Sequence, residues 1–205
     1  MIEEVFSQGR ISLQLGASLP VNIPMPLAIL QGGQPDIIMT AHYSSEPFVV
    51  PVCWVWRIGY WSGKSAWELE AIHQKLFLDN TTPEVESFSV SHGWNLVTVN
   101  RVWDLDTYLF RFGFGVVLTH PESVIRGKEY DESGGILGLG YFVSGPAVTI
   151  GVGRQVDLTK QIFLTFDGRA AFSCARVKIA EGSALAHNIA VIVSVMVGYD
   201  LRVGQ

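Results

Sequence analysis

Two stretches of strict alternation constrain this chain more than any other feature. In residues 108–116 large apolar side chains occupy every even position, while Arg111, Gly113 and Gly115 fall on odd positions. Residues 189–201 carry an apolar side chain on every odd position. Because successive side chains of a β-strand point to opposite faces, this period of two predicts long strands with one apolar face.

Composition narrows what such strands can build. The chain is 48% hydrophobic and 16% charged, with a mean hydropathy of +0.29, which excludes a disordered protein. No window approaches the roughly eighteen consecutive apolar residues of a transmembrane helix, so membrane residence has to come from strands, for which about ten alternating residues suffice. The net charge of −5 argues against a nucleic-acid partner.

Glycine, proline, asparagine and aspartate divide the chain into eight alternating segments. We predict strands at 36–45, 49–61, 66–78, 87–103, 107–120, 138–154, 161–177 and 187–202. The turns at 62–65, 104–106 and 156–160 are short, whereas the connections 79–86, 121–137 and 178–186 are longer and polar. Short turns at one end and long loops at the other are typical of membrane barrels, so we predict an all-β fold, an antiparallel up-and-down transmembrane β-barrel of eight strands.

Residues 1–35 do not fit this count. Ile11, Leu13 and Leu15 alternate, but a ninth strand would break the even number that a closed barrel requires. We therefore predict an N-terminal extension over 1–35, placed in the lumen or along the periplasmic rim, and a barrel over 36–205. A ten-stranded barrel and a soluble barrel of lipocalin type are the alternatives.

Charged residues at strand midpoints share the parity that alternates with apolar side chains. In a barrel with an apolar exterior they would meet in the lumen, where acids and bases have to pair. The predicted lumen charge network consists of Arg57, Glu68, Glu70, Arg111, Asp167 and Arg169.

Aromatic residues collect beside the short turns and near the C-terminus. Rings at membrane interfaces anchor barrels, so we predict an aromatic girdle. Its predicted members are Tyr60, Trp61, Trp67, Trp103, Tyr108 and Tyr199.

Two segments carry a family resemblance. Residues 151–160 and 197–201 resemble small eight-stranded outer-membrane β-barrel proteins of bacteria. The resemblance implies residence in the outer membrane, contact with its lipids and lipopolysaccharide, and recognition of the last strand by the barrel assembly machinery. It implies cleavage of a secretory signal, and since residues 1–5 lack the features of one, we expect a mature form that restarts at an added methionine.

The residues point to three functions, of which the first is preferred. It is a structural or interaction barrel with a plugged polar lumen, whose long loops address a possible protein partner. The second is a narrow passive channel for small molecules. The third is a lipid A modifying hydrolase, since His42 and Ser44 resemble the His-x-Ser arrangement of lipid A deacylases and parity would turn both toward the lumen. No spacing suggests a metal site, and we predict no cofactor.

Overall fold

A single antiparallel sheet makes up nearly all of the structure. The computed structural model describes residues 9–130 and 134–202. Its thirteen strands are β1 (Arg10–Ile23), β2 (Met25–Gln31), β3 (Ile37–Ala41), β4 (Tyr43–Ser44), β5 (Trp54–Ser62), β6 (Ser65–Leu78), β7 (Val85–Asp104), β8 (Leu109–Thr119), β9 (Glu122–Ile125), β10 (Lys128–Glu129), β11 (Phe142–Asp157), β12 (Ile162–Ile179) and β13 (Gly182–Arg202). A short 3-10 turn covers Ile136–Gly138. Within the described ranges, no helix is long and apolar enough to cross a membrane.

Eight of these strands close into a ring. Its order is β1, β5, β6, β7, β8, β11, β12 and β13, and β13 pairs back with β1. Every pair is antiparallel and neighbours in the ring follow one another along the chain, which is the up-and-down topology. The predicted fold class, an eight-stranded antiparallel barrel, is confirmed.

The first ring strand is not the one that the sequence predicted. Strand β1 pairs with β13 over its whole length and with β5 from Arg10 to Ala17, so residues 10–23 belong to the barrel and not to an extension. Residues 36–45 instead form β3 and β4, which lie beyond the ring. The ring still has eight strands, because it gains β1, which was not predicted, and lacks residues 36–45, which were. Residues 1–8 of the predicted extension lie outside the described part of the chain.

The outside of the ring is apolar on every strand. We call this surface the apolar belt, and it includes Leu15, Val21, Ile58, Leu69, Val99, Phe112, Phe114, Val148, Ile150, Phe166, Phe172, Val193, Val195 and Val197, all exposed. Soluble proteins rarely expose a continuous apolar surface of this extent, whereas the lipid-facing side of a membrane barrel requires one. The ring is therefore a transmembrane barrel.

Beyond the belt, at the end of the barrel opposite Arg10 of β1 and Arg202 of β13, the sheet continues as a second body that we call the outer half. After Pro24 strand β2 stays alongside β13, β3 pairs with β2, and β4 pairs with the end of β6. Strand β9 takes over from β8 as the partner of β7. The predicted loop 178–186 is mostly strand, since β12 reaches Ile179 and β13 begins at Gly182.

The two sides of the outer half enclose an apolar core. It combines aromatic and aliphatic side chains from β2, β4, β6, β7, β12 and β13. Its members include Leu27, Ile29, Tyr43, Leu76, Leu78, Phe88, Val90, Trp94, Val177, Ile179 and Ala184, all buried. The core explains why strands continue past the membrane, because it gives their inward faces something to pack against.

Candidate functional site: an ionic network in the barrel lumen

The structure brings the six predicted lumen charges together. They come from four strands of the ring, namely β5, β6, β8 and β12. Arg57, Glu68, Glu70, Arg111, Asp167 and Arg169 all point inward, and no more than 3% of any of these side chains is exposed. We call them the ionic network.

Asp167 lies at the centre of the network. Its Oδ2 accepts hydrogen bonds from Arg57 Nη2 at 2.7 Å, Arg169 Nη2 at 3.0 Å and Arg111 Nη1 at 3.2 Å. One carboxylate thus joins three arginines from three different strands. Charge-assisted bonds of this kind are stronger than neutral ones.

The two glutamates complete the pairing. Glu70 bonds to both Arg57 and Arg169. Glu68 accepts from Arg111 Nε at 2.9 Å and lies 3.8 Å from Arg57 Nε. Three carboxylates therefore balance three guanidinium groups, and every acid touches at least two bases.

Glycines make room for these long side chains. Gly153 faces Asp167 across β11 and β12, and a Cβ there would lie 2.8 Å from Arg111 Nη1. A Cβ at Gly59 would lie 3.1 Å from Glu68 Cγ. The small residues on the inward parity therefore leave the space that the charged side chains occupy.

The chemistry of this arrangement is that of a cross-link. Guanidinium groups do not lose their protons in proteins, so the arginines offer no base. Each carboxylate is held by two or more cations and is not presented to a substrate. The network is suited to hold four strands at a fixed separation.

Trp61 differs from its predicted place in the girdle. It shares the inward parity of Arg57 and is only 4% exposed. Its Nε1 donates to Ser12 Oγ at 3.0 Å, and the guanidinium of Arg10 lies 4.9 Å from the ring centre. Trp61 therefore lies inside the barrel near the short turns, where it lines a cavity of 220 Å³ that opens to the outside.

The other five girdle residues face outward. Tyr60, Trp67, Trp103, Tyr108 and Tyr199 are all exposed beside the short turns or the C-terminal strand end. Arg101 lies over two of these rings, 5.3 Å from the centre of Trp67 and 5.8 Å from that of Trp103. Such placement is typical of the interfacial aromatic residues of a membrane barrel.

His42 and Ser44 do not form the predicted pair. Both lie in the outer half and not in the lumen, and it is Tyr43 between them that points into the apolar core. The Ser44 hydroxyl donates to Asp79 Oδ1 at 2.7 Å, while the His42 side chain is exposed. His42 and Ser44 lie on the face opposite Tyr43, and the apolar side of the segment packs against the protein core instead of facing lipid.

Sequence reasoning missed a set of amides above the ionic network. Asn188 Nδ2 donates to Asn22 Oδ1 at 2.9 Å, Asn22 Nδ2 donates to Ser45 Oγ at 2.8 Å, and Gln74 Nε2 donates to Asn188 Oδ1 at 3.3 Å. Asn22 and Asn188 carry the inward parity of β1 and β13, which is the signal that could have found them. The amides lie between the charged lumen and the apolar core.

Comparison with known proteins gives similarity of fold alone. No protein-family model matches the sequence, and no curated protein matches it. The structure of Ail, the attachment invasion locus protein of Yersinia pestis, in complex with the heparin analogue sucrose octasulfate, is 9% identical, covers 95% of this chain and 99% of its own, and has a TM-score of 0.46. Neisserial surface protein A is 12% identical over 94% of this chain and 96% of its own, with a TM-score of 0.40. The outer membrane protease OmpT from Escherichia coli is 9% identical over 98% and 99%, with a TM-score of 0.41.

The fold assignment follows from the molecule's own geometry. An even number of antiparallel strands, an apolar exterior and a polar interior define the barrels of bacterial outer membranes. By its strand order, its belt and its lumen, this chain has the fold of a small eight-stranded outer-membrane β-barrel protein, as the resemblance predicted.

Proposed function

We propose that this chain is a structural or interaction barrel of the outer membrane whose plugged lumen does not conduct. The observation that carries the proposal is the binding of Asp167 by three arginines from three strands, across the middle of the lumen. Water and solutes could pass only by separating these ion pairs. Breaking a buried pair is costly, which favours a permanent plug.

Two further layers support a closed lumen. Toward the short turns, Trp61 packs with Ala66, Val102 and Leu109 in a small apolar cluster. Toward the outer half, the inward face changes to the apolar core that contains Trp94. A passive channel would need a polar path through all three layers.

The outer half supports the interaction role. Its hairpins are tied together, since Arg126 donates to Glu84 Oε1 at 2.9 Å and to the carbonyl of Pro35 at 2.8 Å, and Lys128 pairs with Glu181. A folded body of this kind presents a fixed surface to a protein partner. Loops on a rigid scaffold are where binding residues usually lie.

Outer-membrane lipids and lipopolysaccharide are the second class of partner in the proposal. Arg176 and Lys178 are exposed on the outward face of β12, two and three strand repeats above the apolar Phe172. Basic side chains just beyond the belt are placed to meet phosphate groups of a lipid. Insertion by the barrel assembly machinery belongs to the same proposal.

Planar-bilayer recording tests the plug. The refolded chain is compared with Arg111→Ala, which opens the ionic network, and with Arg154→Ala, at an exposed arginine on the outward face of β11. Heat-modifiable migration on a denaturing gel first shows that each protein is folded. We expect no unit conductance from the unaltered chain and a lower urea midpoint for Arg111→Ala alone.

A conducting lumen would give the opposite result. Discrete conductance steps from the unaltered chain that become larger in Arg111→Ala would make it a narrow channel and would remove the plugged-lumen proposal. Unchanged urea midpoints for both variants would show that the network does not hold the barrel together.

A further inference from the structure

Two apolar loops leave the barrel at the upper edge of the belt, on opposite sides of the ring. The first rim loop, residues 46–53, leads into β5, and the second rim loop, residues 134–141, leads into β11. We propose that both loops insert into the outer leaflet and anchor the barrel there, with their apolar side chains in contact with lipid acyl chains. The proposal rests on the membrane residence of the barrel and is independent of whether its lumen conducts.

The first rim loop exposes more apolar surface than water would favour. Phe48 is 79% exposed and Val50 is 86% exposed, and Val49 and Val52 between and after them are exposed as well. Single exposed apolar residues are ordinary, but a run of this kind marks a contact surface.

The backbone of this loop is held in place while its side chains point away. Lys75 Nζ donates to the carbonyl of Val49 at 2.8 Å, Cys53 N donates to the carbonyl of Pro47 at 2.9 Å, and Ser18 N donates to the carbonyl of Cys53 at 3.1 Å. Lys75 is buried beneath the loop. Satisfied backbone groups are what a segment needs before it can enter an apolar phase.

The first rim loop is continuous with the lipid-facing side of β5. Trp54 and Trp56 follow it directly, on the same outward parity as Ile58 in the belt. The ring of Trp54 stacks on His73 of the neighbouring strand, with 5.2 Å between ring centres. The loop therefore extends an established lipid contact and is not an isolated patch.

The second rim loop repeats these features with different residues. Leu137 is 90% exposed and Leu139 is 62% exposed, between glycines that let the chain turn tightly. Ile136 N donates to the carbonyl of Tyr141 at 2.7 Å, which closes the loop. It leads into Val143, an exposed outward residue of β11, so this loop also joins the belt.

The arrangement of the two loops favours a bilayer over a protein. In the ring, β5 and β11 are separated by three strands in either direction, so the loops lie on opposite sides. A bilayer surrounds the barrel and meets both sides at once, whereas one protein partner would face one side. Lys178, which lies 4.1 Å from the ring centre of Phe142 just after the second loop, supplies a cation at the level of the lipid headgroups.

Depth-dependent quenching in lipid vesicles tests the proposal. Phe48→Cys and Leu137→Cys, in a background with Cys53→Ala and Cys174→Ala, carry a fluorescent label and are reconstituted in phosphatidylcholine vesicles. Half of the samples contain a lipid with a nitroxide near the headgroup end of its acyl chain, and iodide is the water-phase quencher. Phe114→Cys in the belt and Ile38→Cys, an exposed apolar position of the outer half, are the controls.

We expect both loop labels to be quenched by the nitroxide lipid and shielded from iodide severalfold relative to the label at Ile38. If either loop label responds like the one at Ile38, that loop lies in water and two-sided anchoring is wrong; its apolar surface would then be free for a protein partner. If the belt label at Phe114 also responds like the one at Ile38, the barrel does not reside in the membrane. That outcome differs from failure of the loop proposal, in which the Phe114 label is still quenched by the nitroxide lipid.

A second pair of variants tests the proposal in case the cysteine-free background does not fold. Phe48→Asp and Leu137→Asp in the otherwise unaltered chain are refolded into vesicles beside Ile38→Asp. We expect a severalfold lower yield of heat-modifiable barrel for both loop variants. Yields equal to that of Ile38→Asp would overturn the proposal.

Discussion

The same strands enclose two different interiors, one charged and one apolar. Within the belt, β6 turns Glu68 and Glu70 inward, where they meet arginines of β5, β8 and β12. Six and eight residues after Glu70, the same strand turns Leu76 and Leu78 into the core of the outer half. The inside of the barrel is polar where its outside faces lipid, and apolar where its outside faces water.

The two interiors respond to damage by different physics. An ionic network holds only when every charge is matched, so the loss of one member leaves another charge buried without its partner. An apolar core loses stability in proportion to the volume removed, and its surroundings can partly collapse. Variants of the two interiors should therefore differ in how much stability they lose.

Asp167→Asn should have the largest effect. The change keeps the shape of the side chain and removes the charge that three arginines share. We expect a loss of about 3–5 kcal/mol in the free energy of unfolding, because three guanidinium groups remain beside two carboxylates. Urea unfolding of the protein folded in vesicles measures it, with the exposed Asp106→Asn as control; equal midpoints for the two variants would contradict the prediction.

Leu76→Ala tests the apolar interior. Leu76 is fully buried in the outer half, and its truncation should cost about 2–4 kcal/mol through lost burial and a residual cavity. Because the core lies beyond the belt, we expect faster protease cleavage in the outer half with heat-modifiable migration retained. Ile38→Ala, at a position that is 78% exposed, is the matched control and should leave the cleavage rate unchanged.

Gly115→Ala tests how closely β8 packs against the backbone of β7. A Cβ at this position would lie 1.9 Å from the backbone carbonyl oxygen of Val97, which cannot move without shifting β7. We expect a cost of about 1–3 kcal/mol from overpacking. At Gly168, on the outward face of β12, a Cβ would meet open space. Gly168→Ala should therefore unfold at the same urea concentration as the unaltered chain, and a similar loss at both positions would refute packing as the cause.

Lys64→Gln should have the smallest effect. Lys64 pairs with Asp106 at the short-turn end, where both side chains are mostly exposed. Exposed pairs contribute little because water and salt screen them. We expect urea midpoints that coincide with those of the unaltered chain at low and at high salt. A clear loss of stability would show that this exposed pair, like the buried ionic network, stabilises the barrel.

Parity was enough to predict the barrel, and the residues of the ionic network lie on the inward faces that parity indicates. Arg57, Arg111 and Asp167 are far apart in sequence, but each lies on the face opposite the apolar side chains of its own strand. In a closed ring all such faces converge, so their meeting follows from topology. The same rule assigns Trp61 to the interior, which its position beside a turn concealed.

Parity does not say what an apolar face will touch. Residues 10–23 and 36–45 both alternate, but Leu15 and Val21 face lipid whereas Met39 and Tyr43 pack against protein. An alternating strand is stable against lipid and against a protein core alike. Which segment forms the first ring strand therefore depends on its pairing partners, and alternation does not specify these. For the same reason the lumenal direction predicted for His42 and Ser44 was reversed.

The pairing of the first strand with the last sets the order in which this molecule can assemble. Arg10 meets Asp200 across that seam, 190 residues apart in the chain. Ring closure needs the last strand to be present, and contacts between segments this distant in the chain form slowly. Until then the charged faces of β5, β6, β8 and β12 have no enclosed space in which to pair. The seam therefore makes the pairing of β1 with β13 the step that encloses the lumen.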